Sequence, residues 1–207
     1  AATIPITFLT AAYCLESLGQ IRPGERVLIH AATGGVGQAA IQIAQAAGAI
    51  VFATASQGKW QILKDMGVKH IFDSRTTDFE QEINALTDSE GVDLVLNSLR
   101  GEFTDASLRL LRPGGRFLEI GITDLRTPEQ IAQFSTEIEY FPVDLMVLYR
   151  EQRDVLHVLL NKLRQRQLVS RRIFRIITDH FLSQFDKTFI IDHLKKSSAF
   201  LAPKERV

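Results

Sequence analysis

Val27-Leu28-Ile29-His30-Ala31-Ala32-Thr33-Gly34-Gly35-Val36-Gly37 reads as a strand, a tight turn and the start of a helix. An apolar, β-branched run leads in, small residues make the turn, and an Ala- and Ile-rich helical pattern follows. That order suits a nucleotide pyrophosphate. The free N–H groups and the positive dipole end of the helix would face the anion. Gly34 and Gly35 are expected to adopt backbone angles closed to other residues and to let the main chain approach the phosphates. With Thr33, Val36 and Gly37 they make up the candidate cradle. As a G-x-G-x-x-G match the stretch is imperfect: Ala32 holds the first position, with Gly34 and Gly37 in the other two. Its weight therefore rests on its surroundings.

Downstream, the chain alternates strand and helix patterns. Ala49-Ile50-Val51-Phe52-Ala53-Thr54 reads as a buried strand, and further strands are expected at 70–72, 92–96 and, after the turn Pro113-Gly114-Gly115, at 116–120. Helical patterns separate them at 36–47, 59–66, 78–86 and 104–111. Upstream, apolar residues at helical spacing between Pro5 and Leu18 predict one more helix. This alternation predicts an α/β domain, a doubly wound parallel sheet of Rossmann type with helices on both faces. Beyond Gly121 the rhythm changes. A polar loop holding Thr127-Pro128-Glu129 leads to a strand near 137–141 and a long helix over 143–167. The expected organisation is a dinucleotide-binding domain over 1–170 and a C-terminal segment of unassigned structure over 171–207.

With 207 residues, 45% hydrophobic and 23% charged, the chain suits one soluble globular domain with a proper core. Its 24 basic and 24 acidic residues cancel, so no global field draws it to nucleic acid or to a membrane surface. No run is long and apolar enough for a bilayer span, and no secretory signal opens the chain. One cysteine, Cys14, excludes an internal disulfide framework and fits a reducing, cytoplasmic compartment. The opening Ala1-Ala2-Thr3-Ile4-Pro5, without methionine, reads as a piece of a longer polypeptide.

In Rossmann sites for NAD, an acidic residue about 20 positions past the glycines receives the ribose hydroxyls. Here the second strand ends in Thr54-Ala55-Ser56-Gln57-Gly58-Lys59, with no carboxylate. Ser56 can donate a hydrogen bond and Lys59 supplies positive charge, a pair suited to a 2′-phosphate, so the expected cofactor is NADPH. Taken alone, Lys59 also reads as a solvated lysine at a helix start. Ligands bind beyond the carboxyl ends of the strands, where strand order reverses. That places Asn97 and Ser98 after the fourth strand, and Gly121 and Ile122 after the fifth, against the cofactor. Arg75, after the third, reads equally as an adenosine contact or a surface arginine. His30 and Cys14 read as structural, and Tyr13 as core or as a nicotinamide contact. Asp179, His180, Asp192 and His193 read as surface residues, so no metal site is expected.

Several stretches together carry a family resemblance. The run Ala2-Thr3-Ile4-Pro5 with Phe8-Leu9-Thr10-Ala11, followed by residues 30–37, resembles the medium-chain dehydrogenase/reductase superfamily. Phe52-Ala53-Thr54-Ala55-Ser56-Gln57-Gly58-Lys59-Trp60, Asp73-Ser74-Arg75-Thr76, Val95-Leu96-Asn97-Ser98-Leu99 and Pro113-Gly114-Gly115-Arg116-Phe117 narrow it. So do Gly101-Glu102-Phe103 and Asp105-Ala106-Ser107-Leu108. Over roughly residues 1–170 the chain is similar to the enoylreductase domains of modular polyketide synthases. The resemblance implies NADPH-dependent hydride delivery to the β-carbon of an α,β-unsaturated thioester on an acyl carrier protein. It also implies other synthase domains as partners, leaves room for a homodimer, and places Thr10 at the nicotinamide end. A free-standing NADPH:quinone oxidoreductase and a non-catalytic dinucleotide-binding module stay open beside it.

Two departures from the family pattern stand out. The family carries a lysine after the glycine that follows the fifth strand, and an aspartate further on, both proposed to assist α-carbon protonation. The aspartate matches Asp144, but the lysine position holds Ile122. This implies either a weakened reductase or an enolate used differently, for instance by internal displacement of a leaving group. The second departure is the tail, which lacks the basic, glycine-bearing strand with which the family rejoins its substrate domain.

Overall fold

A computed structural model describes residues 3–145 and 153–165. Six strands, β1 (Arg26–Ile29), β2 (Ile50–Ala55), β3 (His70–Asp73), β4 (Val92–Asn97), β5 (Leu111–Glu119) and β6 (Glu139–Pro142), form one sheet in the order β3-β2-β1-β4-β5-β6. Every pairing is parallel. This is the doubly wound order, and it reverses between β1 and β4, so the loops that leave those strands flank the switch point.

The central strands are apolar along most of their length because both faces are covered. Val27, Ile29, Val51, Ala53, Leu94, Leu96 and Leu118 point to one face. There they meet α1 (Thr3–Ala12), α2 (Gly35–Ala46), α3 (Trp60–Asp65) and α7 (Arg153–Gln165). Leu28, Phe52, Val95 and Phe117 point to the other, against α4 (Phe79–Leu86), α5 (Glu102–Arg109) and α6 (Pro128–Ala132). Successive residues of a strand alternate between two cores, as the pleat requires.

Four local expectations are revised. The first helix is α-helical only to Ala12. Tyr13–Leu18 continues it as a π-helical turn, with the Gly19 N–H on the Cys14 carbonyl at 2.7 Å. Pro113-Gly114-Gly115 lies within β5 as a bulge: Val92 pairs with Leu111, yet Leu94 already pairs with Arg116. Residues 128–132 are a helix rather than loop. Thr127 and Gln130 form a capping box, and Pro128 stands at the first helical position. Finally, Val143 and Asp144 are not helical. The Val143 N–H instead donates to the Glu119 carbonyl at 2.7 Å, prolonging the sheet edge before α7. The segment assigned to 171–207, with Asp179, His180, Asp192 and His193, lies outside the described residues.

Candidate dinucleotide site

The turn after β1 is anchored on both sides: His30 N–H donates to the Leu96 carbonyl and Ala32 N–H to the Thr54 carbonyl, each at 3.1 Å. Ala31 takes the turn's positive φ, +46°. Gly34 is extended (φ −74°, ψ 169°) and Gly35 begins α2, so neither uses angles reserved for glycine, contrary to expectation. The glycines serve close approach instead. A Cβ on Gly37 would lie 2.6 Å from the Ala31 carbonyl oxygen and from Ala32 Cα, and one on Gly35 would lie 2.8 Å from Thr7 Cγ2 of α1. Without side chains there, α2 seats its first turn directly on the β1 turn. Gly34 and Gly35 are exposed, Thr33 and Val36 half-buried. The first-turn amides of α2 have no intrahelical acceptors, so this cradle fits a pyrophosphate.

His30 is held beneath the cradle. The Ser107 hydroxyl donates to the Phe103 carbonyl at 2.6 Å, so His30 Nε2 donates to Ser107 Oγ (2.8 Å) and Nδ1 accepts from Thr54 Oγ1 (2.9 Å). Burial pushes this imidazole down to about 3 and keeps it neutral. It is structural, joining β1, β2 and α5.

Ser56 and Lys59 follow β2, one half-buried and the other exposed. Asp73, at the end of β3, pairs in register with Ala55 and brings a carboxylate into the same corner. It is occupied, accepting from Gln57 Nε2 (2.9 Å) and from the Arg75 N–H (2.9 Å). The Arg75 side chain is exposed. Thr10 is buried in α1 and its hydroxyl donates to the Ile6 carbonyl at 2.7 Å.

Beyond the switch point, Asn97 and Glu119 end neighbouring strands as registered partners. Both are buried, and Asn97 Nδ2 donates to Glu119 Oε2 at 2.6 Å. Glu119 Oε1 accepts the Gly121 N–H at 2.6 Å. Burial pushes the Glu119 carboxyl up to about 7, against the pull of its Asn97 and Gly121 hydrogen bonds. Glu119 was not singled out from the sequence, because its partner stands 22 positions away. Ser98 is half-buried, Ile122 is 75% exposed, and Asp144, just beyond β6, is exposed.

Residues 35–172 match the family described as zinc-binding dehydrogenase. The chain belongs to that family. Within it, the chain is the cofactor-binding half of an enoylreductase domain of the modular polyketide synthase type, in the medium-chain dehydrogenase/reductase superfamily. A phenolphthiocerol synthesis polyketide synthase type I of Mycobacterium marinum is 55% identical over 147 residues, 70% of this chain and 7% of that protein. The crystal structure of the CurK enoyl reductase is 53% identical with a TM-score of 0.78, over 80% of this chain and 50% of that one. The nucleotide-binding subdomain of the PpsC enoylreductase domain of Mycobacterium tuberculosis is 38% identical with a TM-score of 0.69, over 78% of this chain and 94% of that one. The chain thus spans a small part of the full-length synthase it matches.

Family membership implies a nicotinamide dinucleotide, which the cradle fits. The zinc of the family description finds no such fit among the described residues. Among the described residues no three His, Cys, Asp or Glu side chains cluster as metal ligands. Cys14 is packed in the core with its thiol pushed up to about 12 by burial, far from a thiolate ligand. Also among the described residues, no helix is long and apolar enough to cross a membrane.

Proposed function

We propose that this chain is the dinucleotide-holding half of an oxidoreductase that reduces an α,β-unsaturated thioester, borne by an acyl carrier protein, with NADPH. The observation that carries the reading is the seating of α2 on the β1 turn at the point where strand order reverses, with Ser56 and Lys59 beside it on the end of β2. Thr33, Gly34, Gly35, Val36 and Gly37 hold the pyrophosphate through backbone N–H groups. Ser56 and Lys59 receive the 2′-phosphate and Arg75 flanks the adenosine end, while Gln57 and the Arg75 amide keep the Asp73 carboxylate occupied. Thr10 and Ser98 flank the nicotinamide end, Gly121 and Ile122 line it through their backbone, and Asn97, with its amide committed to Glu119 and Leu99, supports it from beneath. When bound, NADPH supplies a hydride for the β-carbon of the substrate. Asp144 is the candidate group to assist proton delivery to the α-carbon. The other synthase domains are its partners, and the cytoplasm is its compartment.

Ile122 favours a second reading. Where the resemblance expects a lysine, an exposed isoleucine can neither donate a proton nor steady an enolate. In that reading the enolate leaves by another route, such as internal displacement of a leaving group.

Calorimetric titration of the 207-residue chain with NADPH and NADH tests the cofactor. NADPH should bind more tightly, and Lys59→Ala should remove about tenfold of that preference, the worth of one charge-assisted hydrogen bond. Equal affinities overturn the phosphate assignment. The domain joined to its substrate-binding half, assayed with enoyl thioesters and quinones, separates the reactions. Thioester reduction supports the proposal, quinone reduction supports the free-standing oxidoreductase, and binding without turnover supports a non-catalytic module.

A further inference from the structure

A carboxylate in the interior of a Rossmann sheet is costly unless hydrogen bonds or an opposite charge offset its desolvation. Glu119 is 1% exposed, and its two oxygens are divided between two loops. Oε2 accepts from Asn97 Nδ2, whose own Oδ1 accepts the Leu99 N–H at 3.1 Å, so this arm reaches the loop after β4. Oε1 accepts the Gly121 N–H, the first turn of the loop after β5. A Cβ on Gly121 would lie 2.8 Å from Oε1, so the glycine is what lets the carboxylate come so close. Farther out, the same two loops are stapled again. The Gly101 N–H donates to Asp124 at 2.7 Å, and Arg126 donates to Asp124 (2.6 Å), to Asp105 (2.9 Å) and to the Gly101 carbonyl (3.2 Å).

We propose that Glu119 is a positioning residue: its ionised carboxylate ties the loop after β4 to the loop after β5 and so sets the backbone that receives the nicotinamide end of the dinucleotide. This rests on the proposed function above for the ligand, whereas the tie itself belongs to the chain alone.

The chemistry makes the tie dependent on protonation. As a carboxylate, Glu119 accepts both N–H groups. Once protonated, one oxygen carries a hydrogen beside either the Asn97 amide N–H or the Gly121 N–H and becomes a much poorer acceptor, so one arm is weakened. An Asn97 flip that offered Oδ1 to the new proton would release Leu99 instead. The groups that face Glu119 are Asn97 from β4, Asp124 and Arg126 from the loop after β5, and Tyr140 from β6. Burial and Asp124 favour the neutral form, and Arg126 and the two hydrogen bonds favour the charged one. The balance falls at about 7, so the tie strengthens as pH rises through neutrality.

The test is Glu119→Gln in the 207-residue chain, with amide hydrogen exchange at Gly121 and Leu99 and NADPH titrations between pH 6 and 8. Glutamine keeps the shape but sets an NH2 group against one of the two donors. Exchange at Gly121 or Leu99 should accelerate about tenfold or more, and NADPH affinity at pH 8 should fall about tenfold, as for one buried hydrogen bond lost. In the parent, affinity should rise from pH 6 to pH 8 more steeply than in the variant, which shares the ligand's own titration. Unchanged exchange with parallel pH profiles overturns the proposal. If the variant does not fold, the parent decides: Gly121 exchange that slows as pH rises through 7, after correction for intrinsic base catalysis, supports the tie, and exchange without such a step overturns it. A parent that shows the exchange step yet binds neither dinucleotide overturns the proposed function and leaves the tie standing.

Discussion

Gly37→Ala puts the cradle to its sharpest test, because helix propensity and packing predict opposite signs. In an open helix, replacing glycine by alanine stabilises by about 1 kcal/mol. At position 37 the new methyl would stand 2.6 Å from the Ala31 carbonyl oxygen and Ala32 Cα, and 2.7 Å from the Ala32 carbonyl carbon. All three are main-chain atoms of a turn anchored to β2 and β4, so no rotamer change relieves the contact. Restoring ordinary van der Waals separation requires α2 to withdraw by about 0.8 Å at its N-terminus. Overpacking of this kind costs about 3 kcal/mol at the upper end. Net of the propensity gain, a loss of about 2 kcal/mol is expected, which lowers the urea midpoint by about 1 M. The same withdrawal moves the first-turn amides off the pyrophosphate, so NADPH affinity should fall about tenfold or more. Gly58→Ala is the control. Its methyl would meet nothing within 4 Å, and stability should stay within about 0.5 kcal/mol. A midpoint that is unchanged or raised in Gly37→Ala refutes the seating of α2 on the turn.

Three further outcomes follow from the same geometry. The Arg116–Glu25 pair, 2.8 Å apart with both side chains nearly buried, joins β5 to the segment before β1, and Arg116 Nε also holds the Gly19 carbonyl. Glu25→Ala should cost about 3 kcal/mol in chemical denaturation, since it strands a guanidinium; a loss below about 1 kcal/mol would mean that water reaches Arg116 freely. Stability against pH should show two opposing slopes. His30, depressed to about 3 from 6.5, makes the unfolded chain bind more protons over that window, so its contribution is lost as pH falls from 6.5 towards 3. Glu119, raised to about 7 from 4.5, contributes fully below 4.5 and loses its part as pH rises to 7. The two slopes, each up to about 1.4 kcal/mol per pH unit, offset one another between 4.5 and 6.5. Glu119→Gln should uncover the His30 slope there, and a flat profile in that variant would refute the assignment. Ile122→Lys in the domain joined to its substrate half should speed α-carbon protonation if a general acid is missing, by about 10²-fold at the lower bound; unchanged rates and products would show that position 122 has no such part.

Much of the fold was legible because doubly wound sheets are written in local signals. Apolar strands bounded by glycine turns, and helices of one to three turns between them, predict the first four strands closely; the fifth begins five residues before its expected start, because its bulge reads as a turn. The short helix at 128–132 was equally legible, since Thr127-Pro128-Glu129-Gln130 carries the capping-box spacing and a proline at the first helical position. Its polar composition alone reads as a loop. Other features had no local trace. That Gly34, Gly35 and Gly37 serve close approach rather than unusual angles depends on where α1 and the β1 turn lie in space. The weight of Glu119 depends on the register that sets Asn97 beside it. Asp73 comes beside the end of β2 only because β3 pairs with β2, a placement that the end of the second strand alone does not encode.

The two ends of the candidate site are therefore built on different principles, and this bears on how Ile122 should be read. In the proposed function the adenosine end presents side chains, Ser56, Lys59 and Arg75, each replaceable alone with a local effect. The proposed nicotinamide end is mainly backbone, whose course is set from beneath by Asn97 and Glu119 and from outside by Asp124 and Arg126. Ile122 lies between these two ties and contributes to neither. At 75% exposure its side chain buries little apolar surface, so the loop's geometry does not depend on which residue stands there. A lysine can be absent from this position without disturbing the backbone that receives the cofactor. By the same reasoning Ile122→Lys should leave stability within about 0.5 kcal/mol of the parent. A change in rate or product in that variant then reports on the chemistry of one added ammonium group, with the fold and the cofactor cradle held constant.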